Sequence, residues 1–268
     1  MTLKLAFTTL GCPDWDLPAI LENARRYGYQ GIDFRGYLGD MAVQKRREFT
    51  TEKAKTARRI ADAGLEVTGF STGAALMPTA NKPVKESLEE VKAYADLCPT
   101  FKTPYLRVFG QAIGDRTWED AIGIAADTLR QMAEIAAPNN TAVIVETHDA
   151  WVRSEHIRPL MERVDLPNVG VLWDIHHPWR AGESPAETWE SLHPWIAYTH
   201  WKDATLPDHD LCLPGDGDLP LRECVDVLRR GGYSGYYTLE WEKKWHPELA
   251  DPEIAFPRFA DVMKQYAQ

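Results

Sequence analysis

The chain is poor in cysteine, in basic charge and in long apolar runs, and each shortage excludes a class of protein. Of 268 residues only four are cysteine (Cys12, Cys98, Cys212 and Cys224), and no two form a CxxC pair. Thiols so few and scattered read as reduced cysteines of a cytoplasmic protein, not as a disulfide frame or a zinc knuckle. Lys and Arg total 30 against 40 Asp and Glu, a net charge of −10. That balance argues against nucleic acid as a partner, because phosphate binders present a basic face. No apolar run approaches the ~20 residues of a membrane span, and "MTLKLAFTTLG" lacks a signal-peptide pattern. A glycine-rich phosphate turn is missing too. After the first strand the sequence reads "TLGCPDW", without GxGxxG.

What is present is a 44% hydrophobic chain, enough to fill a sizeable core. Short apolar strands alternate with amphipathic helices from end to end. The strand candidates are "KLAFTTL", "GIDFRG", "EVTGFS", "YLRVFG", "AVIVETH", "VGVLWD", "IAYTH" and "YYTLEW". Between them, apolar residues recur at helical spacing. Leu17, Ile20, Leu21 and Ala24 share one face, as do Ile124, Ala125, Leu129, Met132 and Ala133, and Leu221, Cys224, Val225 and Leu228. Gly28, Gly64 and Gly232 close helices just before the next strand. "GYQGID" and "GYSGYY" form a faint internal repeat. The pattern predicts an α/β chain folded as a (β/α)₈ TIM barrel, one domain over 1–268 with no linker. A doubly wound sheet is the alternative, and the absent glycine turn counts against it.

In such a barrel, chemistry sits at the C-terminal ends of strands. The last four candidates end in Glu146 ("VIVETH"), Asp174 ("VLWDIHH"), His200 ("AYTHWKD") and Glu240 ("TLEWE"). Taken singly, each would more often be a solvated carboxylate or a satisfied core histidine. At four successive strand ends, three carboxylates and an imidazole would repel unless neutralised. One divalent metal ion meets that need, and an O₃N set suits Mn²⁺, Mg²⁺, Co²⁺ or Zn²⁺.

With these residues in view, the chain resembles the xylose-isomerase-like TIM-barrel superfamily of ketose 3-epimerases, inosose dehydratases, xylose isomerase and endonuclease IV. The resemblance spans nearly the whole chain and rests on "ETH", "DIHH", "THWKD", "PGDGDLP" and "GYSGYYTLEWE". It implies that Glu146, Asp174, His200 and Glu240 bind one metal, with manganese foremost. By the same resemblance Glu146 and Glu240 are the acid/base pair, removing a proton next to a carbonyl and returning it on the other face. The metal would meanwhile stabilise the enediolate. His177 matches a family histidine that hydrogen-bonds substrate oxygens, and Lys202 one that reaches substrate. Trp179 is a candidate to stack on a sugar ring, with Trp151 and Trp245; Arg35 and Arg107, on early strands, either close the mouth or form ion pairs in a barrel layer. His148 could orient Glu146, and His176 receives no role.

Absences narrow the substrate. The first histidine is His148, so the early-strand histidines of the endonuclease and of xylose isomerase have no counterpart. "LPGDGDLP" places acids among its glycines, which argues against a phosphate cradle. The expected function is therefore a metal-dependent isomerase or epimerase of a free keto-sugar or polyol. The rival is a lyase acting on a 3-keto sugar, 3-keto-glycoside or inosose; a non-catalytic sugar binder is a third reading. The expected partner is a small carbohydrate, with no membrane and no nucleic acid, and a homo-oligomer is allowed.

Overall fold

The computed structural model describes residues 3–267. Its strands are β1 (Lys4–Thr8), β2 (Gly31–Phe34), β3 (Glu66–Ala75), β4 (Tyr105–Phe109), β5 (Ala142–Glu146), β6 (Val169–Asp174), β7 (Ile196–Trp201), β8 (Asp203–Thr205), β9 (Asp210–Cys212) and β10 (Tyr236–Leu239). Eight of them close a barrel in the hydrogen-bonded order β1-β10-β7-β6-β5-β4-β3-β2. The (β/α)₈ TIM barrel expected from the sequence is the fold observed. The remaining two, β8 and β9, form a small antiparallel hairpin that the sequence pattern did not reveal.

Ten α-helical segments lie among the described residues: α1 (Leu17–Tyr27), α2 (Lys53–Asp62), α3 (Val84–Ala95), α4 (Cys98–Phe101), α5 (Trp118–Ala136), α6 (Ser154–Val164), α7 (His176–Arg180), α8 (Pro185–Leu192), α9 (Leu221–Arg230) and α10 (Pro252–Tyr266). The surplus over eight comes from short pieces such as α4 and α7. None is long and apolar enough to cross a membrane.

Contacts divide the chain into two compact units: residues up to Thr68 with those from Thr199 onward, and Gly69–Tyr198. In the first, β1 pairs in parallel with both β10 and β2. Phe7 on β1 packs against Phe256 of α10 and Tyr29, with ring centroids 4.7 and 5.1 Å apart. The Tyr29 hydroxyl donates to the Phe256 carbonyl, tying α10 to the turn between α1 and β2. Helix α1 begins where Asp16 accepts the Ala19 N–H and ends at Gly28, whose φ of 81° a side chain would strain.

In the second unit, β4, β5 and β6 run parallel, and Leu106, Val108, Val143, Val145 and Val171 are buried among them. Such near-continuous apolar runs are what strands covered on both faces require. Helix α5 buries Ala125, Leu129, Met132 and Ala133 of the expected apolar stripe and adds Ala121, while Ile124 is only half-buried; Thr117 caps its N-terminus. Helix α8 opens with a reciprocal capping pair between Ser184 and Glu187.

Candidate active site

In the second unit two acids end adjacent strands. Glu146 is the last residue of β5 and Asp174 the last of β6, and both are buried. The register pairs Arg107 of β4 with Ile144, two residues before Glu146. Strand alternation therefore sends Arg107 and Glu146 to the same face, one layer apart. The Arg107 Nε lies 3.3 Å from Glu146 Oε2, and the guanidinium stacks 3.8 Å from the Phe109 ring centroid. Of the two roles open to Arg107, mouth or ion pair, the structure shows the ion pair: it is a buried partner of Glu146.

Asp174 turns the chain into α7. Its Oδ1 accepts the His176 N–H at 2.9 Å, and its backbone is pinned to Thr147, whose Oγ1 accepts the Asp174 N–H at 3.0 Å. His177 Nε2 lies 3.6 Å from Asp174 Oδ2. The His177 ring meets that of His148 edge-on at 4.6 Å, and His148 Nδ1 lies 2.9 Å from Asp149 Oδ1.

In the first unit, register again explains who shares a face. Ala6 of β1 pairs with Gly31 on one side and Thr238 on the other, and Thr238 pairs with His200. Two residues beyond Gly31 and Thr238 are Asp33 and Glu240, so Asp33, His200 and Glu240 emerge on one face. Gly31 is required there: a Cβ would sit 2.3 Å from Thr68 Cγ2 and 2.9 Å from the Tyr236 ring. His200 Nδ1 lies 3.2 Å from Glu240 Oε1, while its Nε2 lies 3.3 Å from Asp33 Oδ2. Lys202 donates to Glu240 Oε2 at 2.6 Å and to Glu242 Oε1 at 2.7 Å. Asp33, His200, Lys202 and Glu240 are all buried.

Each of Glu146, Asp174, His200 and Glu240 offers a ligand atom, and these atoms lie within 4.8 Å of one another. Bonds of about 2.0–2.2 Å to a divalent ion put opposed ligands at most about 4.4 Å apart, so the set needs only a small contraction to hold one. The donor chemistry fits as well. The set is three buried carboxylates and one buried imidazole, and a divalent ion would offset their negative charge.

The other candidates are placed as follows. Trp179 is half-buried on α7, its ring 6.3 Å from His176. Arg35 is half-buried after β2, its N–H bonded to Thr9 Oγ1, and lines a small cavity with Tyr37, Met41 and Lys244. Trp151 is fully buried with its indole N–H on the Gln111 carbonyl, so it is core, whereas Trp245 is exposed. Two residues were missed. Asp33 is the single charged residue of β2, one place before its end at Phe34. Asp203 follows Lys202 in "HWKD" and receives no role from the sequence. Its carboxylate instead accepts backbone N–H groups from Ala204, Gly215, Gly217 and Leu219, and so folds the "PGDGD" loop. Burial pushes the Asp203 carboxyl up, and those four N–H groups pull it partly back.

Residues 21–260 match the family model described as xylose isomerase-like TIM barrel. A 3-dehydroshikimate dehydratase of Bacillus anthracis is 26% identical over 193 residues, which is 71% of this chain and 67% of the relative. Two solved structures share the fold at lower identity. The 3-keto-D-glucoside 4-epimerase YcjR of E. coli superposes with a TM-score of 0.81 over 98% of this chain and 100% of its own, at 16% identity. The IOLI protein, solved with a zinc atom, gives 0.81 over 98% and 99%, at 20% identity.

Proposed function

The chain belongs to the xylose isomerase-like TIM-barrel family, and on that premise we propose that it is a divalent-metal-dependent enzyme. It removes a proton next to the carbonyl of a small, unphosphorylated, carbohydrate-like molecule. The observation that carries this reading is the buried convergence of Glu146, Asp174, His200 and Glu240. The four free thiols suit a reducing, cytoplasmic setting.

A divalent ion held by these four residues would polarise the substrate carbonyl and stabilise charge that develops on its oxygen. Everything else falls to the chain. One of Glu146 and Glu240 accepts the α-proton, and the C–H electron pair moves toward the carbonyl. The other donates a proton on the far side. Arg107 and Lys202 lie against these two carboxylates and hold them in place. His177 is the hydrogen-bonding partner for a substrate oxygen, with Lys202, Trp179 and Arg35 as further substrate contacts.

We favour elimination for the second half of the reaction: the returned proton leaves with a β-hydroxyl as water, and a carbon–carbon double bond forms. A relative matched by sequence is named a dehydratase, whereas the epimerase YcjR, at 16% identity, is matched in fold. Epimerisation is the second reading, supported by the presence of two metal-layer carboxylates that can exchange one proton across a carbon. Ketoses, inososes and 3-keto-glycosides incubated in D₂O with Mn²⁺-loaded protein separate the two by NMR. Elimination gives an alkene signal and release of water. Epimerisation gives an inverted centre carrying deuterium and no alkene. Protein carrying one equivalent of metal that does neither with any of them overturns the proposal.

A further inference from the structure

Among the groups around the His200 imidazole, Glu240 lies 3.2 Å from Nδ1 and Asp33 lies 3.3 Å from Nε2. A neutral imidazole carries one proton and one lone pair, so the two sides compete for the same hydrogen. If the proton sits on Nδ1, it points at Glu240 and the lone pair needed for a metal is turned away. If it sits on Nε2, it points at Asp33 and the Nδ1 lone pair looks into the cluster. Asp33 and His200 are 1% and 0% exposed, so water does not arbitrate between the two arrangements.

We infer that Asp33 is a positioning residue, which accepts the Nε2–H of His200 and thereby makes Nδ1 the ligand atom. The inference rests on the proposed metal site and adds to it a fifth residue, from β2, which touches neither metal nor substrate. The fold builds this pairing deliberately in register. Asp33 and His200 are 167 residues apart in sequence, and β1 and β10 run between their strands. On the shared face β1 contributes Ala6 and Thr8 in the layers nearest Asp33, and β2 contributes Gly31 one layer below Asp33. Small side chains there let Asp33 reach across to the ring. A buried carboxylate with an imidazole N–H in range is also the arrangement that fixes ring orientation in metal-binding histidines generally, where losing the outer partner weakens metal binding ~10–100-fold.

Two readouts test this, neither of them turnover. Long-range ¹H–¹⁵N NMR of the metal-free chain, at a pH high enough that His200 carries a single proton and with His200 assigned from the spectrum of His200→Gln, reports which nitrogen keeps it. The expected result is a proton on Nε2 in the unmodified protein and a shift toward Nδ1 in Asp33→Ala. Asp33→Asn should lie between, because its amide oxygen still accepts a hydrogen bond. Co²⁺ titration against a competing chelator, followed by the visible absorbance of the bound ion, should show Asp33→Ala binding ~10–100-fold more weakly and Asp33→Asn less so. A proton on Nδ1 in the unmodified protein overturns the inference, and that measurement stands even if Asp33→Ala does not fold. So does unchanged cobalt affinity in a folded Asp33→Ala. Failure of the unmodified chain to bind cobalt at all sinks the metal reading, while the tautomer measurement still decides the role of Asp33.

Discussion

Asp203 and Glu240 are both buried acids following barrel strands, and they are satisfied in opposite ways. Asp203 accepts four backbone N–H groups at 2.8–3.3 Å, all from its own following loop. Glu240 is held by side chains: the Lys202 ammonium at 2.6 Å on one oxygen and His200 Nδ1 at 3.2 Å from the other. Backbone N–H groups cannot be given up or taken over by a ligand without unfolding the loop. An ammonium and an imidazole can exchange protons and partners in place. The contrast teaches how to tell a carboxylate that shapes the chain from one that can act on a substrate. The partner, not the burial, makes the distinction.

That contrast can be broken by exchanging each acid for its amide. The largest effect should come from Glu240→Gln, with turnover falling ~10²–10⁴-fold while Asp203→Asn stays close to the unmodified rate once folded. Metal content must be measured alongside, because Glu240 is also a proposed ligand. Equal losses in the two variants at equal metal content would erase the distinction. Stability should reverse the ranking. Asp203→Asn leaves backbone donors without a full set of acceptors, and a cost of about 1–3 kcal/mol is expected. Gly217→Ala should act on the same loop, since its Cβ would sit 2.2 Å from Asp203 Oδ1 and 2.6 Å from the Ala204 carbonyl. For a chain of this size each kcal/mol lowers Tm by about 2–4 °C, so calorimetry resolves either variant.

The smallest effect concerns Cys212. Its thiol is pushed up to about 12, first by burial and then by Asp203, Asp216 and Asp218. Because the thiolate is the reactive form, iodoacetamide should label native Cys212 slowly at pH 8 and quickly in urea. Asp203→Asn removes one of the three charges and leaves the burial, so labelling should speed up only a few-fold. Labelling at the rate of an open thiol in the unmodified protein would refute this.

The barrel was legible because every strand is an apolar run closed by a turn, and every ligand candidate is the polar residue that breaks such a run. Asp174 after "VGVLW" and His200 after "IAYT" announce themselves in that way. Asp33 follows the same rule in "GIDF" but is followed at once by Phe34, so it reads as one polar residue inside a strand. The meaning of Arg107 was open between mouth and ion pair, because a strand residue's layer depends on register with its neighbours. That register is a property of the sheet and not of the segment. The hairpin β8–β9 escaped for a different reason. It has three residues a side, and what orders the loop beyond it is a carboxylate collecting N–H groups, which leaves no periodic trace. The side-chain partnerships around Lys202 are equally silent, since a lysine between two glutamates looks the same in sequence whether it binds them or a ligand.

The four residues "HWKD" carry a further lesson. His200 and Lys202 both meet Glu240, while Trp201 packs on Tyr237 and Asp203 gathers the loop. Chemistry and anchorage thus alternate residue by residue along one short stretch. Losing or gaining a single amino acid there would swap the two sets, sending the indole and the loop anchor inward and the proton-handling groups out. Descendants of this gene can therefore alter the segment by exchanging letters but not by changing their number. Length polymorphism should be confined to the turn between β8 and β9, where Leu206 is already open to solvent.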